Sequence, residues 1–221
     1  MGAQALCGKY SGPKSYLTLG LIQSRKGGSE TPQVLSILSS VLERTIQRNE
    51  RSMKKSPTGR EPITIFHGTR APSLTIGQYL DRIFKYSACS PSCLVLAYVY
   101  LDRFLQKTGL CLTSLNVHRL LITSSMLADK FHEDECYNNA YYAKVGGVST
   151  QEINRLELEF LSSIEFSLHV TVETFNSYCS FLEEEANSKS PIDRPVQLYG
   201  PRQGMSSREP YFAPAYGRLR P

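Results

Sequence analysis

Histidine and cysteine are the residue types of this chain that could bind a metal or supply a nucleophile. His132 and Cys136 stand four positions apart, a spacing that suits a metal ion if a second pair of ligands converges on them. The six cysteines form no CxxC pair, and isolated cysteines usually behave as small buried hydrophobic residues. The sequence therefore predicts no metal site and no cofactor, and it predicts reduced thiols.

The chain also lacks the short motifs through which common enzymes hold nucleotides, zinc or an activated serine. It contains no G-x-x-x-x-G-K, G-x-G-x-x-G, G-x-S-x-G or H-E-x-x-H sequence. Its histidines are dispersed, with no obvious nucleophile beside them: His67, His118, His132 and His169. A phosphoryl-transfer enzyme would need nucleotide-binding loops. These features favour a binding module over an enzyme.

A lysine surrounded by acidic residues lies near the end of the apolar stretch that runs from Ser114 to Glu135. At helical spacing one stripe of this stretch consists of Val117, Leu120, Leu121, Leu127 and Phe131. Ile122 and Met126 lie on the opposite side, and a helix that is apolar most of the way round is buried. Lys130 follows directly, among four acidic residues. We expect this lysine at the edge of a core, where it can face a partner.

The helices that position this stretch are predicted from caps and apolar periodicity. A leading helix has Thr31 as its N-cap and Pro32 at its first position, and it stops near Asn49. Later helices begin at Ser73, at Ser90, at Ser149 with a capping box to Glu152, and at Thr171. Residues 63–68 are expected to be extended and packed on the helices, and residues 135–147 to form a polar, aromatic loop. The predicted fold is all-α, with five close-packed helices and one additional N-terminal helix.

Composition divides the chain into four parts. They are a disordered arm at 1–31, the leading helix and linker at 32–69, a helical box at 70–186, and a disordered Pro/Gly-rich tail at 187–221. The box carries nine basic and fourteen acidic residues, so nucleic acid is not the expected partner. No apolar run approaches the ~20 residues of a membrane-spanning helix. We expect an intracellular protein, nuclear or cytoplasmic, without a membrane or small-molecule partner.

Three phrases in the box resemble the successive signature segments of a cyclin box. They are YVYLDRFL at 98–105, LADKFHED at 127–134 and INRLELEFLSSIEFSL at 153–168. The leading helix, and FHGTRAPSLTIGQYLDRIFKYSACSP after it, resemble more specifically the plant P-type, or U-type, cyclins, which are similar to the yeast phosphate-signalling cyclins. The resemblance covers about residues 32 to 186 and implies a single five-helix cyclin box.

The resemblance also implies a kinase-binding surface. A lysine and a glutamate that bind backbone groups near the regulatory helix of a kinase match Lys130 and Glu157. The family's apolar contact positions match Leu127, Phe131, Leu161 and Phe166. Asp102 and Arg103 match the D-R-F phrase, interpreted as internal scaffolding. On pattern alone, the two charges are more typical of solvated surface positions, and the four apolar residues are more typical of core positions.

The chain departs from the family pattern in two places. His132 replaces the acidic residue usual after K-F, and the M-R-A-I-L phrase with which mitotic cyclins dock substrates is missing from the first box helix. The tail is too short for a second cyclin fold, so a one-box cyclin is expected. Ser56 and Ser190 each precede proline, and their phosphorylation is left open.

The function implied is that of a regulatory subunit that binds and activates a cyclin-dependent kinase, an A-type plant kinase above all, linking cell division to phosphate status. Two alternatives remain. One is a cyclin-like scaffold in a transcription or nucleic-acid complex, which would need phosphate contacts from Arg51, Lys54 and Lys55. The other is an adaptor that binds a kinase without activating it.

Overall fold

The structure is a computed structural model that describes residues 14–21, 31–55 and 63–187, with the backbone of residues 218–219. Within this part of the chain the elements in order are α1 Lys14–Thr18, α2 Gln33–Lys55, α3 Ile76–Ser87, α4 Pro91–Thr108, α5 Val117–His132, β1 Glu135–Cys136, α6 Asn139–Gly146, α7 Thr150–Ser163, α8 Val172–Asn187 and β2 Arg218–Leu219. The two short strands pair in parallel, Glu135 opposite Arg218 and Cys136 opposite Leu219. The predicted all-α class is confirmed.

Helices α4 and α5 form the centre of the fold. Almost the whole of α4 from Cys93 to Leu105 is buried, and α5 is buried from Leu120 to Asp129. Two of the small polar residues of α5, Thr123 and Ser124, bond within their own helix. Thr123 Oγ1 donates to the Arg119 carbonyl at 2.7 Å, and Ser124 Oγ to the Leu121 carbonyl at 3.2 Å. The neighbouring helices therefore approach α5 closely without leaving these hydroxyls unsatisfied.

The helix starts follow the predicted capping chemistry with two differences. Ser90 and Pro91 open α4 as expected, but α3 begins at Ile76 rather than Ser73, because Thr75 and Gln78 form a complete capping box there. The box predicted at Ser149 is only half formed. Ser149 Oγ accepts from the Glu152 amide at 3.1 Å, while the Glu152 carboxylate pairs with Arg119 at 2.6 Å.

The predicted loop at residues 135–147 is wrong in its second half, which forms α6. Asn138 Oδ1 accepts from the Tyr141 amide at 3.0 Å and caps the helix. Gly147 ends it with a left-handed backbone at φ +71°, a conformation that glycine adopts without strain. At Gly146 a Cβ atom would lie 2.8 Å from Ile122 Cγ1. The close contact of α6 with α5 therefore depends on this glycine.

The N-terminal regions are more ordered than predicted. Helix α2 continues to Lys55 instead of stopping near Asn49, so the basic residues assigned to a linker form its exposed final turns. Within the arm predicted to be disordered, α1 packs on α8. Thr18 Oγ1 donates to Glu183 at 2.9 Å, and Leu19 is fully buried. The rest of the predicted arm, Ser56, Ser190 and most of the predicted tail lie outside the described residues.

The segment at residues 63–68 contains no strand, as predicted, and packs on the helices through Phe66. This ring is buried and meets Phe104 edge-on at 4.9 Å and Phe160 at 6.2 Å between centroids. Phe104 and Phe160 stack on each other at 4.7 Å. The three rings join the connecting segment to α4 and α7 in one aromatic cluster.

Candidate functional site

Lys130 and Glu157 meet on one surface, at the junction of α5, α6 and α7. Lys130 Nζ donates to Glu157 Oε1 at 2.7 Å, and the two side chains are 25% and 19% exposed. Asn139 contacts both partners. Its Oδ1 accepts from Lys130, and its Nδ2 donates to Glu157 Oε2 at 2.6 Å. The sequence placed the two charges on a common surface, and the structure brings them into one hydrogen-bonded group.

Asn139 and Asn154 are the members of this group that sequence reasoning missed. Asn139 Nδ2 also lies 2.7 Å from Asn154 Oδ1 on α7. The sequence predicted a loop at Asn139, so no helical pattern indicated which way the Asn139 side chain would point. The signal that could have found it is the pair of Asn138 and Gly147, which mark the two ends of a short helix.

The four apolar positions have different environments. Phe166 is 54% exposed and Leu127 only 3%, while Phe131 and Leu161 are half-buried. Phe166 projects outward after α7 because Glu165 and Phe166 both adopt left-handed backbone, at φ +54° and +55°. Leu127 thus belongs to the core of the free protein and presents almost no surface to a partner.

Leu158 is a further exposed apolar residue, on α7, that the pattern did not single out. It follows Glu157 directly and is 65% exposed. A leucine that exposed falls outside the buried stripe of α7, whose buried members are Ile153, Leu156 and Phe160. Leu158 on α7 and Phe166 just after it are therefore exposed apolar side chains of this part of the chain.

Asp102 and Arg103 make internal contacts in the described structure. Asp102 is fully buried, and its carboxylate accepts from the Tyr178 hydroxyl of α8 and from Gln106 Nε2 at 2.7 Å. Arg103 donates to the carbonyl oxygens of Ser167 at 2.8 Å and His169 at 2.9 Å. Asp102 therefore attaches α8 to α4, and Arg103 holds the segment between α7 and α8.

Residues 32–168 match the family model described as Cyclin. The chain belongs to the cyclin family. It is 52% identical to cyclin-P3-1 of Oryza sativa subsp. japonica, over 83% of this chain and 78% of the relative. It is 48% identical to cyclin-U3-1 of Arabidopsis thaliana, over 82% of each chain. With cyclin-U4-1 of Arabidopsis thaliana the identity is 52%, over 74% of this chain and 83% of the relative.

The resemblance to plant P-type and U-type cyclins is therefore confirmed, and family membership supports a regulatory role for this cyclin. None of the helices in the described residues is long and apolar enough to cross a membrane.

His132 of this cyclin, the departure from the family phrase, is bonded to the central helix. Tyr100 Oη donates to the Leu168 carbonyl at 2.7 Å and lies 2.7 Å from His132 Nε2. Because the hydroxyl has one proton, it accepts from His132, which fixes the neutral tautomer with its hydrogen on Nε2. Desolvation is the main cause that lowers the pKa of His132, with His169 acting in the same sense and Glu133 opposing it.

This lowered pKa predicts a pH dependence of stability. The unfolded chain has the ordinary histidine pKa of about 6.5, so it binds more protons than the folded cyclin as the pH falls. The free energy of unfolding therefore decreases as the pH falls below about 6.5 and through the lower pKa of His132 in the folded protein. The His132→Gln variant keeps an amide that can donate to Tyr100. Its urea unfolding midpoint should fall less steeply between pH 7 and pH 5 than that of the wild type. His118, whose pKa burial also lowers, should retain part of the slope. Equal slopes in variant and wild type would contradict the prediction.

Cys93, Asp129 and Glu133 form the group of possible metal ligands found among the described residues. Their ligand atoms all lie within 4.8 Å of one another, and the group includes neither His132 nor Cys136. Hydrogen-bond donors of the protein already contact one carboxylate of this group. Glu133 Oε1 accepts from the Ser90 amide at 3.0 Å and from Cys93 Sγ at 3.1 Å. The glutamate carboxylate therefore caps the N-terminus of α4.

Proposed function

We propose that this cyclin binds and activates a cyclin-dependent kinase through the surface that contains Lys130, Asn139 and Glu157. The single observation that carries the proposal is the hydrogen-bonded junction of these three side chains, on a chain of the cyclin family. The kinase we propose is a plant A-type enzyme in the nucleus or cytoplasm, and the output is cell division under the influence of phosphate status.

The junction supports the proposal because its polar groups are already oriented. Lys130 directs two donor hydrogens to Asn139 and Glu157, and its ammonium has a third for a carbonyl of the partner. The Glu157 carboxylate has further acceptor capacity for a backbone amide of the partner. Polar groups ordered before binding lose less side-chain entropy when a partner docks.

Exposed apolar side chains on α7 and after it can supply the water-excluding part of the interface. Leu158 and Phe166 are 65% and 54% exposed, and Phe131 and Leu161 are half-buried next to the charged residues. Aromatic and aliphatic side chains buried at the centre of an interface provide most of its binding free energy. The charged residues then determine the register of the complex, and because they are desolvated in it, their truncation is costly.

Activation requires no catalytic group from the cyclin. A kinase is active when a lysine of its sheet and a glutamate of its regulatory helix form an ion pair. A partner that binds better to the conformation with this helix turned inward shifts the population toward it. The proposed role of the cyclin is to supply that differential binding free energy.

The experiment is a phosphorylation assay with purified full-length cyclin, a plant A-type kinase and histone as substrate. Phosphate incorporation should rise with cyclin concentration and saturate, and the kinase alone should give only background. Binding measured in parallel separates the alternatives. Kinase that binds without gaining activity would identify an adaptor. Absence of kinase binding, with salt-dependent DNA binding lost on neutralising Arg51, Lys54 and Lys55, would identify a nucleic-acid scaffold.

A further inference from the structure

The short strand β1 is a sheet edge on which the C-terminal part of this chain docks. Glu135 and Cys136 pair in parallel with Arg218 and Leu219 of β2. The main chains of the two strands make this contact. Addition of a strand to an available edge is a common way in which a protein binds an extended peptide. The edge at β1 therefore accepts an extended segment.

The chain around β1 and the part of the chain that docks on it carry opposite charges. Glu133, Asp134 and Glu135 stand in succession, and Asp134 and Glu135 are exposed. Residues 187–221 contain six basic and two acidic residues. Such charges attract each other over about 10 Å at 0.1 M salt. Charge complementarity therefore favours the C-terminal part of this chain as the occupant of the edge.

Tyrosine rings lie next to β1. Tyr137 follows Cys136 directly, and its ring stacks on that of Tyr141 with 3.9 Å between centroids. Tyr141 Oη donates to the Tyr86 carbonyl at 2.7 Å, and Tyr86 is 48% exposed. Aromatic rings of this kind bind proline rings and the planes of arginine side chains. Residues 210–221 contain three prolines and two arginines, so their composition suits this surface.

We propose that Asp134, Glu135, Cys136, Tyr137 and Tyr141 form a docking edge for basic, extended segments, and that residues 210–221 of this chain occupy it as an intramolecular ligand. A pair of strands as short as β1 and β2 is marginally stable in water. The docked segment therefore exchanges with a free form, and a basic segment of another molecule can replace it.

The docking edge lies close to the candidate site in the chain. Lys130 precedes it by four residues, and Asn139 falls between Tyr137 and Tyr141. A segment docked on β1 thus neighbours the junction of α5 and α6, where Lys130 and Asn139 contact each other. The docking itself does not depend on the proposed kinase partner, and its test requires no kinase.

The first measurement is amide hydrogen exchange of the full-length protein, read by mass spectrometry in a peptic peptide that covers residues 133–138. The variant Arg218→Pro/Leu219→Pro has no amide hydrogens at β2. Exchange in the peptide should become about three- to tenfold faster in this variant, because hydrogen bonds of β1 are lost. The control Gln197→Pro/Leu198→Pro places two prolines elsewhere in the same tail and should exchange like the wild type. Unchanged exchange in α7 shows that the helices remain folded.

The second measurement is the binding of a fluorescent peptide with the sequence of residues 210–221. It should bind the Arg218→Pro/Leu219→Pro variant at least about tenfold more tightly than the wild type, in which the attached segment competes at an effective concentration near the millimolar range. Added salt should weaken this binding. In the same variant, Asp134→Asn should weaken it further, whereas Glu159→Gln, which changes an exposed acid of α7, should not.

Three results would overturn the proposal. The first is equal exchange at residues 133–138 in the wild type and in the Arg218→Pro/Leu219→Pro variant. The second is a peptide that binds no better than a scrambled peptide of the same composition. The third is slow exchange that appears only as the protein concentration rises, because a second copy of the chain would then supply the strand.

Discussion

Replacing Lys130 and Glu157 together with alanine is expected to weaken kinase binding by roughly 30- to 5,000-fold, since truncating a buried, hydrogen-bonded charge at an interface costs about 2–5 kcal/mol. The two side chains pair with each other at 2.7 Å in the free cyclin, so the double variant leaves neither charge alone in the free protein. Dissociation constants from titration calorimetry, with a plant A-type kinase, provide the measurement.

A matched ion pair elsewhere on the chain provides the control. Arg44 and Glu185 join α2 to α8 at 2.6 Å, with side chains 37% and 19% exposed, and neither belongs to the proposed surface. Their double alanine variant should bind the kinase within about threefold of wild type, because neither side chain lies on the surface proposed to contact the kinase. If the Lys130/Glu157 variant also bound like wild type while remaining folded, the proposed surface would be wrong.

The largest effect on stability is expected for Phe160→Ala, which should lower the free energy of unfolding by about 3–5 kcal/mol. Phe160 is fully buried and stacks on Phe104 with 4.7 Å between ring centroids. Its removal opens a cavity between α4, α7 and the segment that contains Phe66. Domains of this kind have only about 5–15 kcal/mol of stability. Urea unfolding followed by circular dichroism would show the loss as a lower midpoint at an unchanged slope.

Leu158→Ala on the same helix separates burial from helix propensity. Leu158 is 65% exposed, and leucine and alanine have similar helix propensities. Its replacement should change stability by no more than about 0.5 kcal/mol. A Phe160→Ala variant as stable as Leu158→Ala would show that the aromatic cluster does not hold these elements together. The same Leu158 variant, assayed with the kinase, reports whether this leucine belongs to the interface.

The parts of the fold that sequence predicted well are those in which local signals and burial agree. Helices α4 and α5 have long apolar faces, and Ser90, Pro91 and Gly109 mark the two ends of α4. In α6 the signals are weaker. It has only eight residues, and its apolar and polar positions are weakly separated, so periodicity could not distinguish it from a polar loop, although Asn138 and Gly147 cap it.

Tertiary contacts explain the remaining differences. Five residues form α1, too few for a stable isolated helix, and its order comes from packing of Tyr16 and Leu19 against the rest of the protein. The position of Leu127 has a similar origin. A stripe of α5 contains both core and surface positions, and only the packing of neighbouring helices shows that Leu127 is interior while Phe131 is half-buried.

The sequence singled out the charged residues of the candidate site, but it did not predict the hydrogen bonds that join them. Lys130 and Glu157 come from phrases that the family pattern aligns, and their proximity follows from the fold. Asn139, which contacts both, comes from a helix that the sequence did not reveal. Contacts between residues distant in the chain depend on how helices cross, and no local pattern encodes that crossing.

Tyr100 and Arg103 hold the segment between α7 and α8 through its main chain. Their hydrogen bonds end on the carbonyl oxygens of Leu168, Ser167 and His169. Every amino acid carries the same carbonyl, so these bonds do not depend on which side chains the segment bears. Evolution can therefore vary residues 167 and 169, both exposed, and so diversify the outer surface beside Phe166. Tyr100 and Arg103 lack that freedom, because each supplies a donor that few residues can replace.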